Sequence, residues 1–485
     1  MNNFEVIIGI ENHVELKTNS KMFGLGPVTY GQIPNSQVSE VDMGYPGALP
    51  SVNKEGVRLA LLACNALKMK IDPLLRFDRK NYFYPDLVKG FQITQQFFPI
   101  GKEGKIEITL ENGSNKVIEI ERLHIEEDTA KQTHKGELTY IDFNRSGVGL
   151  IEIVSKPFIR SVNEAVEYVN KLREILLYLG VSDVKMNEGS LRCDINISLR
   201  PYGYSKFGPK VEIKNLNSLN NVKKAIEFEI SRQSKILLSG ESIQQETRRF
   251  DENTQETVLM RKKDNAIDYK YFREPNIFPI KLDEKWTKEV LKNSPELASQ
   301  KREKYIKKYQ LSNEDTNYIL SNLSLVNFFE ECIVLGSDPK KVANYLITDI
   351  KALLNKDAID LSQSKLKPKD ISEIIKMLEK KLISSKHVKL ILPISFETEK
   401  TVKEIVEENN LKLISDIKEI EKLLNNIIEQ NSSLIKEQYE QRKERIEKTL
   451  MGQLMKETEG NVNPTIASEI IIRMIQDYLK NANLG

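Results

Sequence analysis

Ser190-Leu191-Arg192-Cys193-Asp194-Ile195-Asn196-Ile197-Ser198-Leu199-Arg200 alternates polar and apolar side chains without a break. Side chains along a strand point alternately to opposite faces, so this pattern predicts a strand with one apolar and one polar side. Leu191, Cys193, Ile195, Ile197 and Leu199 make the apolar face; Ser190, Arg192, Asp194, Asn196, Ser198 and Arg200 make the other. The polar face has two readings. It is solvated sheet surface, or it is the floor of a nucleotide–metal site, with Arg for phosphate and with Asp and Asn toward Mg²⁺ or ribose.

Working outward, residues 9–15 (GIENHVE) repeat the pattern. Glu11, His13 and Glu15 fall on one face, with Ile10, Asn12, Val14 and Leu16 on the other. Carboxylate oxygens favour Mg²⁺ and an imidazole nitrogen can share its shell; a wet antiparallel face is the plainer alternative. In residues 122–131, read as a strand, His124, Glu126 and Asp128 share a face and Ile125, Glu127 and Thr129 share the other. Glu152 sits between Ile151 and Ile153, and a carboxylate buried there needs a metal, an Arg or a Lys beside it. Lys210, Glu212 and Lys214 again share one strand face. Residues 77–86, 245–251 and 268–275 mix Arg or Lys with aromatics, as phosphate contact and base stacking require, or as surface loops pinned by aromatics display. Such repetition favours one enclosed polar site, and phosphoryl transfer suits it because that chemistry needs positive charge and positioning more than a nucleophilic side chain.

Composition narrows the class. The chain has 485 residues, enough for two to four domains at about 100–200 residues each. Lys plus Arg number 72 against 70 Asp plus Glu, so any nucleic-acid surface must be local. Cys64, Cys193 and Cys332 are far apart, which argues against a disulfide framework and a structural zinc site. The opening Met-Asn-Asn-Phe-Glu has no basic stretch before an apolar run, and no segment reaches the roughly 18 apolar residues of a membrane span. A cytoplasmic soluble protein is expected. There is no GxxxxGK[ST] loop, complete GxGxxG or GxSxG elbow.

Up to about residue 290 the pattern is mixed α and β; beyond it, helical. The expected domains are 1–292, 293–408 and 409–485. Asn53 is the expected N-cap of one helix, Ser161 with Glu164 the expected capping box of another, and a third is expected over 220–239. Helices are also expected over 342–354, 368–380, 398–408 and, broken at 460–464, from 417 to 484.

Residues 9–17, 77–86, 123–131, 181–200, 211–218, 246–251 and 268–275, with the tail pattern MGQLMK at 451–456, Gly460 and Asn463-Pro464, together resemble the B subunits of tRNA-dependent glutamyl/aspartyl amidotransferases. The resemblance runs from residue 5 to the end. It implies an α+β cradle domain, a mixed sheet with helices of the glutamine synthetase/guanido kinase kind, followed by all-α helical and tail domains, the tail binding tRNA. It implies an ATP-dependent carbon–nitrogen ligase with glutamine as amido donor. ATP phosphorylates the side-chain carboxylate of a misacylated tRNA, and ammonia from the amidase partner (the A subunit) displaces phosphate; a small C subunit fastens the pair. Carried over by position, His13, Glu127 and Glu152 would be catalytic and, with Glu11, would hold Mg²⁺. Lys80, Arg192, Asp194, Asn196 and Lys214 extend that set toward ATP phosphates or metal. Asn12, Thr129-Ala130, Gly149, Lys156 and Arg273 depart from the family pattern, and Ala130 in place of Gly bears on how closely backbone approaches phosphate. Two alternatives stand beside this: a tRNA-binding adaptor whose catalysis lies in a partner, and a stand-alone kinase or ligase for a small metabolite, which leaves the helical tail without a role.

Overall fold

The computed structural model describes residues 4–262 and 268–482. The first three residues of the opening read for a leader, and the end of the expected tail helix, lie outside that range. The chain divides into two compact units between Ala298 and Ser299.

The first unit is built on a nine-stranded sheet. In chain order its strands are β1 (Phe4–Glu15), β2 (Lys70–Ile71), β3 (Gly101–Thr109), β4 (Asn115–Glu127), β5 (Gly149–Ser155), β6 (Leu191–Pro201), β7 (Val211–Lys214), β8 (Glu246–Asp251) and β9 (Glu256–Lys262). Their spatial order is β9-β8-β7-β6-β1-β5-β4-β3-β2, with β1 at the centre. Only β7 and β8 pair in parallel, which makes the sheet mixed, as expected.

One face packs on helices α1 (Lys54–Ala66), α2 (Val162–Tyr178) and α3 (Leu219–Leu238). Ile8, Ile10 and Val14 of β1, Ile151 and Ile153 of β5, and Cys193, Ile195 and Ile197 of β6 bury here with Val169, Leu172 and Ala225 of the helices. Burying such side chains contributes about 1.5–3 kcal/mol each. The caps follow the sequence. Asn53 accepts the N–H groups of Glu55 and Gly56, and Ser161 accepts that of Glu164. The Glu164 carboxylate does not complete a capping box. It turns to Lys116 at 2.6 Å and to the N–H of Arg160 at 2.7 Å, because a nearby cation outcompetes a neutral amide. A fourth helix, α4 (Glu284–Lys292), belongs to this unit because Val290 joins its core and Trp286 packs against it.

The second unit is helical. The helix expected over 342–354 is instead Pro339–Tyr345, a π-helical turn Leu346–Ile350 and Lys351–Asp357. Helices Ile417–Gln430, Ser432–Gln438, Lys443–Glu457 and Pro464–Ala482 enclose an apolar cluster that includes Ile420, Leu424, Leu450, Leu454, Ile471 and Ile475. All three cysteines are free and buried, and among the described residues no helix is long and apolar enough to cross a membrane.

Candidate active site

The polar face of the sheet carries the site, and strand register assembles it. His13 lies opposite Glu152 of β5 and opposite Arg192 of β6, while Glu152 lies opposite His124 of β4. One row across four strands therefore reads Arg192, His13, Glu152, His124. Glu126, two residues beyond His124, stands on the same face in the next row. His13 Nε2 is 3.4 Å from Glu152 and 3.8 Å from Glu126; His124 Nε2 is 3.4 Å from Glu152 and 3.7 Å from Glu126. One ligand atom from each of His13, Glu126 and Glu152 lies within 4.8 Å of the others.

Both carboxylates are buried and held ionised. Burial opposes this at Glu152, but His124, His13 and Arg122 keep it well below the usual carboxylate range. Burial opposes it at Glu126 too, and His124 with Lys80 outweighs it. Burial would lower the His13 imidazole, but Glu152 and Glu126 raise it. Two ionised oxygen donors and one imidazole, converging on a partly open side, fit a hard divalent cation.

The structure corrects the ligand set at one position. Glu127 points to the opposite face of β4, away from His13 and Glu152. Its carboxylate receives Lys89 Nζ at 2.5 and 2.6 Å and the N–H of Ile93 at 2.9 Å. Glu126 stands in the place expected for Glu127. The period of two in β4 forces this, since adjacent residues cannot share a face. Strand alternation alone puts Glu126 beside His124; position-by-position carry-over within a pair of adjacent glutamates picks the wrong one. Lys89, on a loop, carries no sequence pattern that marks it as the partner of Glu127.

The other expected residues divide into two groups. Glu11 borders the cluster, accepts Asn196 Nδ2 at 2.8 Å, and is raised by burial together with Glu152 and Asp194. Asp194 receives Lys214 at 2.6 Å, and Lys214 also meets Glu212 at 3.0 Å. Arg192 is held by Asp128 at 3.0 Å, with Arg145 on the other oxygen at 2.5 Å. These residues form a charge-paired floor. Lys80 differs: its amine lies 5.0 Å from the Tyr269 ring centroid and 5.8 Å from that of Tyr82, and among the described residues it has no carboxylate within ion-pair distance. Burial opposes its charge, yet Glu126 and Glu152 keep its affinity for protons raised.

Two cavities flank this row along β1. One, about 910 Å³, opens at Glu15 and is walled by Arg145, Arg192 and Asn221. The other, about 470 Å³, opens at Glu11 and is walled by Pro157, Phe207, Gly208 and Lys210. The wall of the larger one is anchored by Lys21, which is fully buried and donates to the carbonyls of Asn144 and Ser146.

Residues 6–288, which contain this sheet and its cluster, match the family model described as the GatB/GatE catalytic domain; residues 327–475 match the one described as the GatB domain. The chain belongs to the GatB/GatE family of amidotransferase B subunits, glutamine-dependent ligases that use ATP. It is 62% identical over 480 residues to the B subunit of the aspartyl/glutamyl-tRNA(Asn/Gln) amidotransferase of Mycoplasma mycoides subsp. mycoides, covering 99% of this chain and 100% of that protein. The protein of the same name from Mesoplasma florum is 58% identical over 481 residues, covering 99% and 100%. That from Staphylococcus aureus is 46% identical over 468 residues, covering 96% and 98%. The match to a catalytic domain favours the enzymatic reading over the adaptor.

Proposed function

We propose that this chain, in a cytoplasmic complex with an amidase partner and a small third protein, activates and amidates a misacylated tRNA: Glu-tRNA(Gln), Asp-tRNA(Asn) or both. A side-chain carboxylate oxygen attacks the γ-phosphorus of ATP, and the bond to ADP breaks. Ammonia released from glutamine in the amidase partner then attacks the acyl carbon. Phosphate leaves with the C–O electron pair, the nitrogen gives up a proton, and Gln-tRNA or Asn-tRNA results.

The observation that carries this reading is the convergence of His13, Glu126 and Glu152 on one point of the sheet's polar face. Mg²⁺ held by these three, with Glu11 at the border, would neutralise charge on the transferred phosphoryl group. His124 keeps both carboxylates ionised and oriented. Lys80, a cation beside the cluster that has no carboxylate partner among the described residues, is suited to a phosphate oxygen. Arg192, Asp194, Asn196 and Lys214 fix the floor on which phosphates would lie. Lys and Arg of the helical tail would meet tRNA phosphates.

The test combines the chain and its amidase partner with Mg²⁺, ATP, ammonium chloride and tRNA(Gln) charged with glutamate. Gln-tRNA is expected to form in step with ADP, and to be lost in His13→Ala and Glu126→Gln with only a slight change in tRNA binding. No product with either Glu-tRNA(Gln) or Asp-tRNA(Asn) would leave the chain an adaptor.

A further inference from the structure

The cavity at the Glu15 end of β1 is walled by several acids, and all but one are occupied. Glu188 pairs with Lys185 at 2.9 Å, Asp142 accepts the N–H groups of Asn35 and Asn144 at 3.0 Å each, and Glu252 accepts Asn221 Nδ2 at 2.6 Å. Of the three cations that line the cavity, Arg145 and Arg192 both bind Asp128, and the third, Lys131, is exposed to solvent. Glu15 is half-buried, and among the described residues its carboxylate makes no hydrogen bond or ion pair. A partly desolvated carboxylate facing a cavity is poorly placed in the empty protein and well placed once a cation docks against it.

Geometry says which cation. Glu15 stands two residues from His13 on the same strand face, about 6.8 Å along the strand at 3.4 Å per residue. In a glutamyl ester the ammonium nitrogen and the side-chain carboxyl carbon are four bonds apart, about 5 Å when extended. A glutamyl group with its carboxylate over His13, Glu126 and Glu152 would therefore bring its α-ammonium within hydrogen-bond reach of Glu15. We propose that Glu15 is the receptor for the α-ammonium group of the aminoacyl ester, so that the larger cavity seats the charged 3′ end and accepts only an unblocked amino acid. This rests on the reaction proposed above. A bare carboxylate in that position also rejects N-acylated esters, which offer an amide in place of a cation.

The test uses the full assembly with its amidase partner, ATP, Mg²⁺ and ammonium chloride, and compares Glu-tRNA(Gln) with N-acetyl-Glu-tRNA(Gln). The wild type is expected to use the blocked substrate about 30-fold less well or worse in kcat/KM, the size of a lost buried charge pair. In Glu15→Gln the two substrates should converge to within about threefold through loss on the free one, while KM for ATP and Mn²⁺ affinity stay at wild-type values. Glu15→Asp should restore much of the preference. Equal use of both substrates by the wild type, or a preference that survives in Glu15→Gln, would overturn the assignment. Amidation of neither Glu-tRNA(Gln) nor Asp-tRNA(Asn) by the wild type would instead overturn the parent reaction, and the assignment with it.

Discussion

Glu126 and Glu127 are neighbours with opposite duties, and two amide substitutions separate them. Glu126→Gln removes one of the charged oxygens facing His13 and should abolish tight Mn²⁺ binding and amide formation, with little change in stability. Glu127→Gln leaves the cluster intact but strands Lys89, whose side chain is 9% exposed, without its anion. It should cost about 3–5 kcal/mol in urea unfolding while Mn²⁺ affinity, measured by paramagnetic resonance, remains unchanged. Asn12 offers a contrast on the opposite face of β1. It is fully buried, and among the described residues its amide has beside it only the Cys193 thiol, a weak hydrogen-bonding group, as a side-chain partner. Leucine there has nearly the same shape and no polar atoms to satisfy, so Asn12→Leu should stabilise by about 1–2 kcal/mol without touching activity. The sequence shows Asn12 as the polar exception on an apolar face, and it shows Glu126 on the face of His124. It does not show that Lys89 reaches Glu127, because a loop residue acquires its partner only from tertiary structure.

At the scale of elements, what the sequence makes legible is whatever has a short period. The eleven residues of β6 (Leu191–Pro201) keep their alternation almost to the end of the strand, and Asn53 and Ser161 cap the helices they begin. Register across strands has no such local signature, yet it is register that turns Arg192, His13, Glu152 and His124 into one row. Glu5 shows how such long-range pairing is fixed and how to test it. At the start of β1 its carboxylate accepts Arg200 Nε at 2.7 Å from β6 and Arg160 Nε at 2.9 Å from the entry to α2 (Val162–Tyr178). Arg200 above all, together with Arg160 and against the opposing effect of burial, lowers the affinity of Glu5 for protons. A carboxyl depressed in the folded state stabilises above its unfolded value, near 4.5, and that contribution fades as pH falls toward the folded value. Glu5→Gln should therefore lose about 1–2 kcal/mol at pH 7, and the gap to wild type should narrow below about pH 4.5 in urea titrations across that range.

For the whole molecule, a formal charge of +2 over 485 residues provides no long-range attraction for tRNA. Affinity must come from places where positive charge is left uncompensated. Much of the charge in the tail is spent internally: Lys443 pairs with Glu440 at 3.2 Å and Lys448 with Glu444 at 3.7 Å. Arg442, Arg445 and Lys456 are exposed on and beside the helix Lys443–Glu457, and among the described residues they have no carboxylate within ion-pair distance. Neutralising a phosphate releases condensed counterion, and each such contact contributes about 0.7–0.9 to the slope of log affinity against log salt. Changing all three to Gln should reduce that slope by about 2–3 and weaken binding of cognate and non-cognate tRNA alike, as phosphate contacts carry no sequence information. Turnover at saturating Glu-tRNA(Gln) should be retained, because the residues proposed to handle phosphate and metal all lie in the first unit. Filter binding from low to moderate salt gives the slope, and amide formation at saturation gives the turnover. An unchanged slope would move the tRNA contact elsewhere on the chain. A reduced slope together with lost turnover would mean that these three residues act in the reaction itself and not only in holding tRNA.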